Sequence, residues 1–313
     1  MPDACQNLVI VNERAGGGAA LDHFRRLEHA LWDIVGPLDV CFTEHRGHGT
    51  ILARDALKRG VLHVLVVGGD GTVNEVVNGW LTEDDIPISP DSRLVVLGGG
   101  TGSDLRRSLG LRGVDDDLRV LKDGSLRTLD LGRVTCRDCS AGGELCRLYL
   151  NVASLGLSGA VVKEVADLNL PGHGVGYFVA TVRALWQWKN VNVRMTVDDA
   201  PPVTMSITTV AVANGRYFGG GMKFAPDACP DDGLLNVTAL VDFNRLDVLA
   251  LVRTVYDGGH IYDPRVYSGS ARVVQIEPLS DAQMVRLDID GEAGGCLPAR
   301  FEVLPGAVKV VAP

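Results

Sequence analysis

The stretch "VLHVLVVGGDGTVNEVVNGW", Val61 to Trp80, decides the fold. Within it "HVLVV" is a short unbroken run of β-branched and apolar residues, the pattern of a strand buried on both faces. Beyond the glycines, Val73, Val76, Val77 and Trp80 recur at i, i+3, i+4 and i+7, one face of a helix. Thr72 and Glu75 have the T-x-x-E spacing of a capping box, which predicts a helix start just after the glycines. The loop thus sits at a helix N-terminus, where unpaired backbone N–H groups and the positive end of the dipole favour an anion, and phosphate is the natural occupant. A carboxylate placed there, Asp70, would repel phosphate unless a divalent cation lies between them or the group acts on a proton. Asp70 therefore predicts magnesium and phosphoryl transfer.

Working outward, "RLVVLGGGTGSDLRRSLG" (Arg93 to Gly110) repeats the arrangement of strand, glycines, a Gly-Thr pair (Gly100-Thr101) and helix start. Two phosphate-facing loops at the C-terminal ends of strands in one α/β domain predict a nucleotide site, because ligands of open parallel sheets bind at that edge. Two common nucleotide signatures are excluded. No G-x-x-x-x-G-K-[ST] string exists, and Asn74 stands where the third glycine of G-x-G-x-x-G should be.

Around these loops, strand-like runs alternate with helical patterns from "NLVIVN" onward, which predicts βαβ units and a mostly parallel sheet. From about Leu129 the period changes to many short strand-like runs with turn signals, a largely antiparallel domain interrupted by one helical stretch, "GVGYFVATVRALWQWKN". A chain of 313 residues also exceeds what one core usually fills. The predicted division is an α/β nucleotide-binding domain over 1–130 and a mainly antiparallel β domain over 131–313, with the end of the chain free to return to the first.

The net charge is −9 and basic residues are scattered in pairs such as Arg25-Arg26 and Arg106-Arg107, a pattern that argues against nucleic acid as a partner. No apolar run approaches the roughly 18 residues needed to cross a bilayer. "MPDACQNLVIVN" lacks the basic and long apolar regions of a signal peptide, so a cytoplasmic location is expected. Seven cysteines without a secretory signal read as reduced thiols. Cys136-x-x-Cys139 with Cys146 could supply three zinc ligands, but no fourth is near in sequence, and no metal is assigned there.

These strings carry a family resemblance. "GGDGTVNEVVNG" is similar to the signature of the diacylglycerol kinase catalytic domain family, whose relatives include sphingosine, ceramide and, more distantly, NAD kinases. "FTEHRGHGTILARDAL" resembles the family's T-x(3)-G-H-A segment, with Thr43 as the nucleotide-contacting threonine. "GGGTGSDLRRSLGL" resembles P-x-G-T-x-N-D-F-A-R-x-L-G, with Thr101, Asp104 and Arg107 in register. "LDLG", "NVASLGLSGAVV", "NGRYFGGGMKFAPDACPDDGLLNV" and "LDIDGE" resemble later motifs in the right order, so the likeness spans nearly the whole chain. The first strand ends in Asn12-Glu13-Arg14-Ala15-Gly16 where the family has N-P-x-[AS]-G, and Ser103 replaces an asparagine. The T-G-S-T-A-Y segment of NAD kinases is absent, which favours the lipid-kinase branch.

The resemblance implies a three-layer α/β domain, a β-sandwich-like domain and an ATP- and Mg2+-dependent kinase that phosphorylates a lipid hydroxyl, of diacylglycerol or a similar alcohol; a kinase of the same fold with a non-lipid or sphingoid acceptor, and a nucleotide-binding regulatory protein without turnover, are the alternatives. It implies a nucleotide-contacting set of Asn12, Thr43, Gly68, Gly69, Asp70, Gly71, Thr72, Asn74, Glu75, Gly100, Thr101 and Asp104. It makes Glu292 the general base beside a catalytic Asp70, and it gives a structural magnesium to the Asp232 side chain and the carbonyls of Cys229 and Leu234. A lipid acceptor implies peripheral contact with a membrane surface. The aromatic stretch from Tyr177 to Lys189 is the candidate docking helix, though the same pattern also suits a core helix. A homodimer stays open.

Overall fold

The computed structural model describes residues 6–99, 103–111, 113, 115–139, 142–168, 174–280 and 284–313. The chain forms two compact units, Met1–Leu131 with Pro305–Pro313, and Gly132–Leu304.

In the first unit, β1 (Asn7–Val11), β2 (Asp39–Phe42), β3 (His63–Val67) and β4 (Arg93–Leu97) form a parallel sheet in the order β2-β1-β3-β4. The last strand of the chain, β14 (Glu292–Ala312), joins its edge through Val310, parallel to Leu94. One face of the sheet (Val9, Val11, Leu65, Val67, Val95, Leu97) packs on Phe24, Leu27 and Leu31 of α1 (Ala19–Val35) and on Leu118 and Leu121 of α5 (Asp115–Asp123). The alternate residues Leu8, Ile10, Val64, Val66, Leu94 and Val96 are equally buried, on the side of α2 (His48–Lys58) and α3 (Asp70–Val77). Burial on both faces explains the unbroken apolar runs, since each such side chain contributes about 1.5–3 kcal/mol.

The second unit is antiparallel. It holds the second part of β5 (Ser125–Arg137), from Gly132 onward, and β6 (Glu144–Tyr149), β7 (Val152–Gly156), β8 (Val191–Val197), β9 (Val203–Ala213), β10 (Leu235–Val241), β11 (Val266–Ala271), β12 (Val273–Pro278) and β13 (Arg286–Ile289). The long β9 pairs with β8 through Val203–Ile207, with β7 through Thr209–Ala213 and with β10 along its other edge. In the same way β14 pairs with both β13 and β12. Between these strands lies a core that includes Val193, Val210, Val237, Ile276, Leu287 and Phe301.

The helices of this unit correct the expectation of a single helical interruption. Within "NVASLGLSGAVV", β7 ends at Gly156, and α6 (Leu157–Asp167) follows at once. Gly156 has φ 92°, and a Cβ there would lie 2.7 Å from the Thr208 carbonyl, so the strand-to-helix corner requires glycine. The expected helix is α7 (Gly174–Gln187), and α8 (Arg245–Val255) adds a third. α8 opens with a capping box in which Asn244 accepts from the Leu246 and Asp247 N–H groups, while Asp247 accepts from the Asn244 N–H.

Candidate functional site

In the first unit the candidate residues line the C-terminal edge of the parallel sheet. Asn12 follows β1, Thr43 follows β2 and Gly68 follows β3, and they are tied by Asn12 N–H to the Val67 carbonyl (3.0 Å) and Thr43 N–H to the Val11 carbonyl (2.9 Å). Gly69 is the N-cap of α3, and its missing side chain leaves open space, with nothing within 4 Å of where a Cβ would stand. Backbone can therefore approach an anion there. Gly68 has no such room, since a Cβ would lie 2.6 Å from Thr72 Oγ1. A Cβ on Gly99 would come within 2.8 Å of the Gly68 amide nitrogen, so the two glycine loops lie against each other.

The predicted capping box is not formed. α3 begins at Asp70 without a side-chain cap, and Thr72 Oγ1 accepts from Asn12 Nδ2 (3.0 Å). Glu75 instead serves a different helix: its carboxylate accepts from Gly47 N–H (2.8 Å) and Gly49 N–H (3.0 Å) at the start of α2. The spacing was right for a cap, but Glu75 faces α2, whose bare glycine N-terminus attracts a carboxylate more strongly than the start of α3, where Asp70 already stands.

Asp70 has partners in the second glycine loop's helix start. Its Oδ1 accepts from the Ser103 hydroxyl and its Oδ2 from the Asp104 N–H (2.9 Å) at the start of α4 (Asp104–Ser108). The start of α4 and the residue before it are thus tied to the N-terminus of α3 through the Asp70 carboxylate. Asp104 is buried and pairs with Arg107 (2.8 Å). Asn74 is buried within α3 and bonds to Asn78 Nδ2 (2.8 Å to its carbonyl), while Gly71 is the second residue of that helix. Gly100 and Thr101 lie outside the described residues.

Behind the loops is a buried ionic group that sequence reasoning missed. Asp117 receives the Arg106 guanidinium, the His23 imidazole (2.6 Å) and the Gly98 N–H (3.0 Å), and Arg106 also donates to the carbonyls of Val96 and Gly113 (2.9 Å each). Fully paired, this group holds the loop after β4 to α1 and α5. The Arg-Arg pair at 106–107 was the available signal, but which arginine turns inward depends on the α4 register.

In the second unit three of the late motifs converge. Asp290 and Gly291, with φ 49° and 87°, make the two-residue turn between β13 and β14. Positive φ at both central residues is what Asp-Gly adopts in a tight hairpin. The Asp290 carboxylate accepts from three consecutive amides, Leu150 (3.0 Å), Asn151 (3.1 Å) and Val152 (2.8 Å). Asn151 in turn accepts at its carbonyl from the Asn214 and Gly215 amides (2.8 Å each) and donates from Nδ2 to the Tyr217 carbonyl (2.8 Å). "NVAS", "NGRYF" and "LDIDGE" are thereby strapped into one platform, and Glu292 stands on it, half-buried, as the first residue of β14.

Asp232 lies on an exposed turn and accepts from the Leu234 N–H (3.0 Å), while the Cys229 thiol donates to Asp231 (3.1 Å). Among the described residues no three Asp, Glu, His or Cys side chains are grouped to hold a metal. A cation at Asp232 would be held by one carboxylate, the carbonyls of Cys229 and Leu234 and water, a donor set that suits a hard ion. The open space at Gly69 beside a carboxylate likewise fits a phosphate with its cation.

The aromatic stretch divides in two. Ala184 and Leu185 are buried against Leu157 and Val161, with Trp188 packed beside them, so Trp188 belongs to the core. Phe178, Val179, Val182 and Trp186 face outward, with Phe178 67% and Trp186 66% exposed. On α8, Leu246, Leu249 and Val252 are exposed as well, and the Arg245 guanidinium lies over the Trp186 ring at 5.5 Å. Among the described residues no helix is long and apolar enough to cross a membrane.

Residues 6–134 match the diacylglycerol kinase catalytic domain, and residues 151–312 match the YegS C-terminal NAD kinase beta sandwich-like domain. A diacylglycerol kinase of Mycobacterium tuberculosis is 26% identical over 310 residues, 97% of this chain and 94% of the relative. A diacylglycerol kinase of Staphylococcus haemolyticus is 29% identical over 275 residues, 87% of this chain and 77% of the relative. A solved structure of a diacylglycerol kinase from Bacillus anthracis str. Sterne superposes with a TM-score of 0.70 at 22% identity, covering 98% of this chain and 96% of that one, which bears on the fold.

Proposed function

Because this chain belongs to the diacylglycerol kinase-like lipid kinases, we propose that it transfers the γ-phosphate of ATP, with Mg2+, to the hydroxyl of diacylglycerol or a similar lipid alcohol. ATP supplies the transferred phosphoryl group and the cation neutralises its charge. The chain's own residues bind and position. The N-terminus of α3 and the open backbone at Gly69 bind phosphate, and Asp70 carries the charge toward which the cation is drawn while it locks the two glycine loops together. A Glu292 carboxylate oxygen takes the proton of the acceptor hydroxyl as the hydroxyl oxygen bonds to the γ-phosphorus and the bond from that phosphorus to the β,γ-bridging oxygen breaks, releasing ADP.

The observation that carries this reading is the platform under Glu292. Three backbone amides on Asp290 fix the turn, so the carboxylate one residue beyond Gly291 is presented by a rigid hairpin. The acceptor is met at a membrane surface, and the outward faces of α7 and α8 are the contact. Asp232, with the Cys229 and Leu234 carbonyls, would hold a structural magnesium.

The test is transfer of label from γ-labelled ATP to detergent-dispersed diacylglycerol, monoacylglycerol, sphingoid base and ceramide by the wild type and Glu292→Gln. The wild type should label diacylglycerol most. The variant should lose on the order of 100-fold or more in kcat with ATP affinity unchanged, as expected for a general base. An unchanged kcat, or a defect confined to ATP binding, overturns the role of Glu292. ATP binding by the wild type with no label on any lipid overturns the lipid acceptor.

A further inference from the structure

Two residues before the turn stands a carboxyl that the proposed chemistry does not use. Asp288, on β13, is 6% exposed, and its side chain sits between β7 and the turn. Its Oδ1 accepts from the Gly291 N–H (2.8 Å) and its Oδ2 from the Ser154 hydroxyl (3.3 Å). Gly291 is the residue that joins Asp290 to Glu292. One buried carboxyl therefore holds the turn from below while the Leu150–Val152 amides hold it from the side.

The charges around Asp288 are of its own sign. Asp290 and Glu292 bear on it from the turn and from β14, and β7 offers the uncharged Ser154. On α6, which packs over β13, Lys163 is paired with Asp167 and Glu164 with Arg183 (2.7 Å), and Arg286 lies at the other end of β13. Three carboxylates within five residues cannot all ionise without cost in a dry site.

We propose that Asp288 is a positioning residue for Glu292: it holds the Asp290-Gly291-Glu292 turn through the Gly291 N–H, and a third negative charge placed there, repelled by Asp290 and Glu292, loosens the turn and lowers turnover. This rests on the reading of Glu292 as the base. Burial first, and then the charges of Asp290 and Glu292, push Asp288 up to about 7 against the Gly291 and Ser154 hydrogen bonds that favour its charge. The sign follows. Between the ordinary value of 3.8 and about 7 the folded chain binds a proton that the unfolded chain does not, so the contribution to stability is complete on the acid side and is lost as pH rises through about 7.

The test compares wild type, Asp288→Asn and Glu292→Gln as full chains from pH 5.5 to 9, by kcat at saturating ATP and dispersed lipid and by thermal melting without substrate. Asparagine keeps the size and an acceptor for the Gly291 N–H but cannot ionise. The wild type should lose kcat by about tenfold for each pH unit well above the midpoint, a limb that Asp288→Asn lacks while retaining at least half of the wild-type kcat at pH 6. Its melting temperature should fall less between pH 6 and 8 than that of the wild type. Superimposable kcat profiles and melting shifts in wild type and Asp288→Asn overturn the proposal, as does a loss of more than tenfold in Asp288→Asn at pH 6. Full activity in Glu292→Gln would instead remove the base reading, and the melting comparison then still reports on the Asp288 seat.

Discussion

Asp70 shows how one residue was legible in kind and not in detail. A carboxylate in a glycine loop at a helix start is an anomaly that points to charge at a phosphate site, and that inference needed no structure. What could not be read is that the same carboxylate accepts from Ser103 and Asp104, because the partner loop is 33 residues away in sequence. The two roles act together: replacing the charge weakens the pull on a cation and slackens the grip on the second loop. Asp70→Asn should therefore lower kcat by at least 100-fold, of the order of 3 kcal/mol or more in the barrier, with a rise in the KM for ATP. Steady-state kinetics at saturating magnesium decide it, and retention of more than a tenth of the rate would remove Asp70 from the catalytic set. Glu292 entered through the family resemblance, and the hairpin that presents it is formed by Asp290 and Gly291, a pair suited to a tight turn. Asp288 was not legible, because nothing in a single sequence separates a buried strand aspartate from an exposed one.

At the scale of elements, local signals succeeded where periodicity was long and failed where a short motif had two possible partners. The parallel strands were legible as apolar runs. α6 was not, because "LGLSGAVV" reads equally as strand until Gly156 turns the chain. The T-x-x-E of α3 has the right spacing for a capping box, yet Glu75 reaches across to α2, a choice that only the packing of the two helices settles. Glu75→Ala should then destabilise by about 1–2 kcal/mol through loss of the α2 cap, measurable as a lower midpoint in denaturant with an unchanged slope. A change below about 0.3 kcal/mol would mean that water replaces the carboxylate at Gly47 and Gly49 without cost. α7 was read as core or docking surface, and its two faces differ: Ala184 and Leu185 are buried, while Phe178 and Trp186 are exposed.

At the scale of the whole molecule, a chain of net charge −9 is repelled by an anionic bilayer, so productive contact must come from a local apolar patch. Phe178→Ser with Trp186→Ser should weaken sedimentation with phospholipid vesicles by tenfold or more, since each large apolar side chain contributes about 1.5–3 kcal/mol on leaving water. Turnover on a short-chain, monomerically dispersed lipid should stay within twofold. Equal vesicle binding by variant and wild type would place the docking face elsewhere. The change of period near Leu129 was legible, but a return of the chain end leaves no local trace, because parallel pairing is set by contacts far apart in sequence. The pairing of Val310 with Leu94 has a consequence for how the protein is born. The first unit is encoded first yet lacks its outermost strand until residues 305–313 have been synthesised. While the ribosome works through the intervening residues, β4 is a bare edge, the kind of surface that pairs with the wrong chain. Maturation therefore runs backwards relative to translation: the last residues made close the unit whose other strands were made first, and a ribosome that stalls between them leaves that unit unfinished.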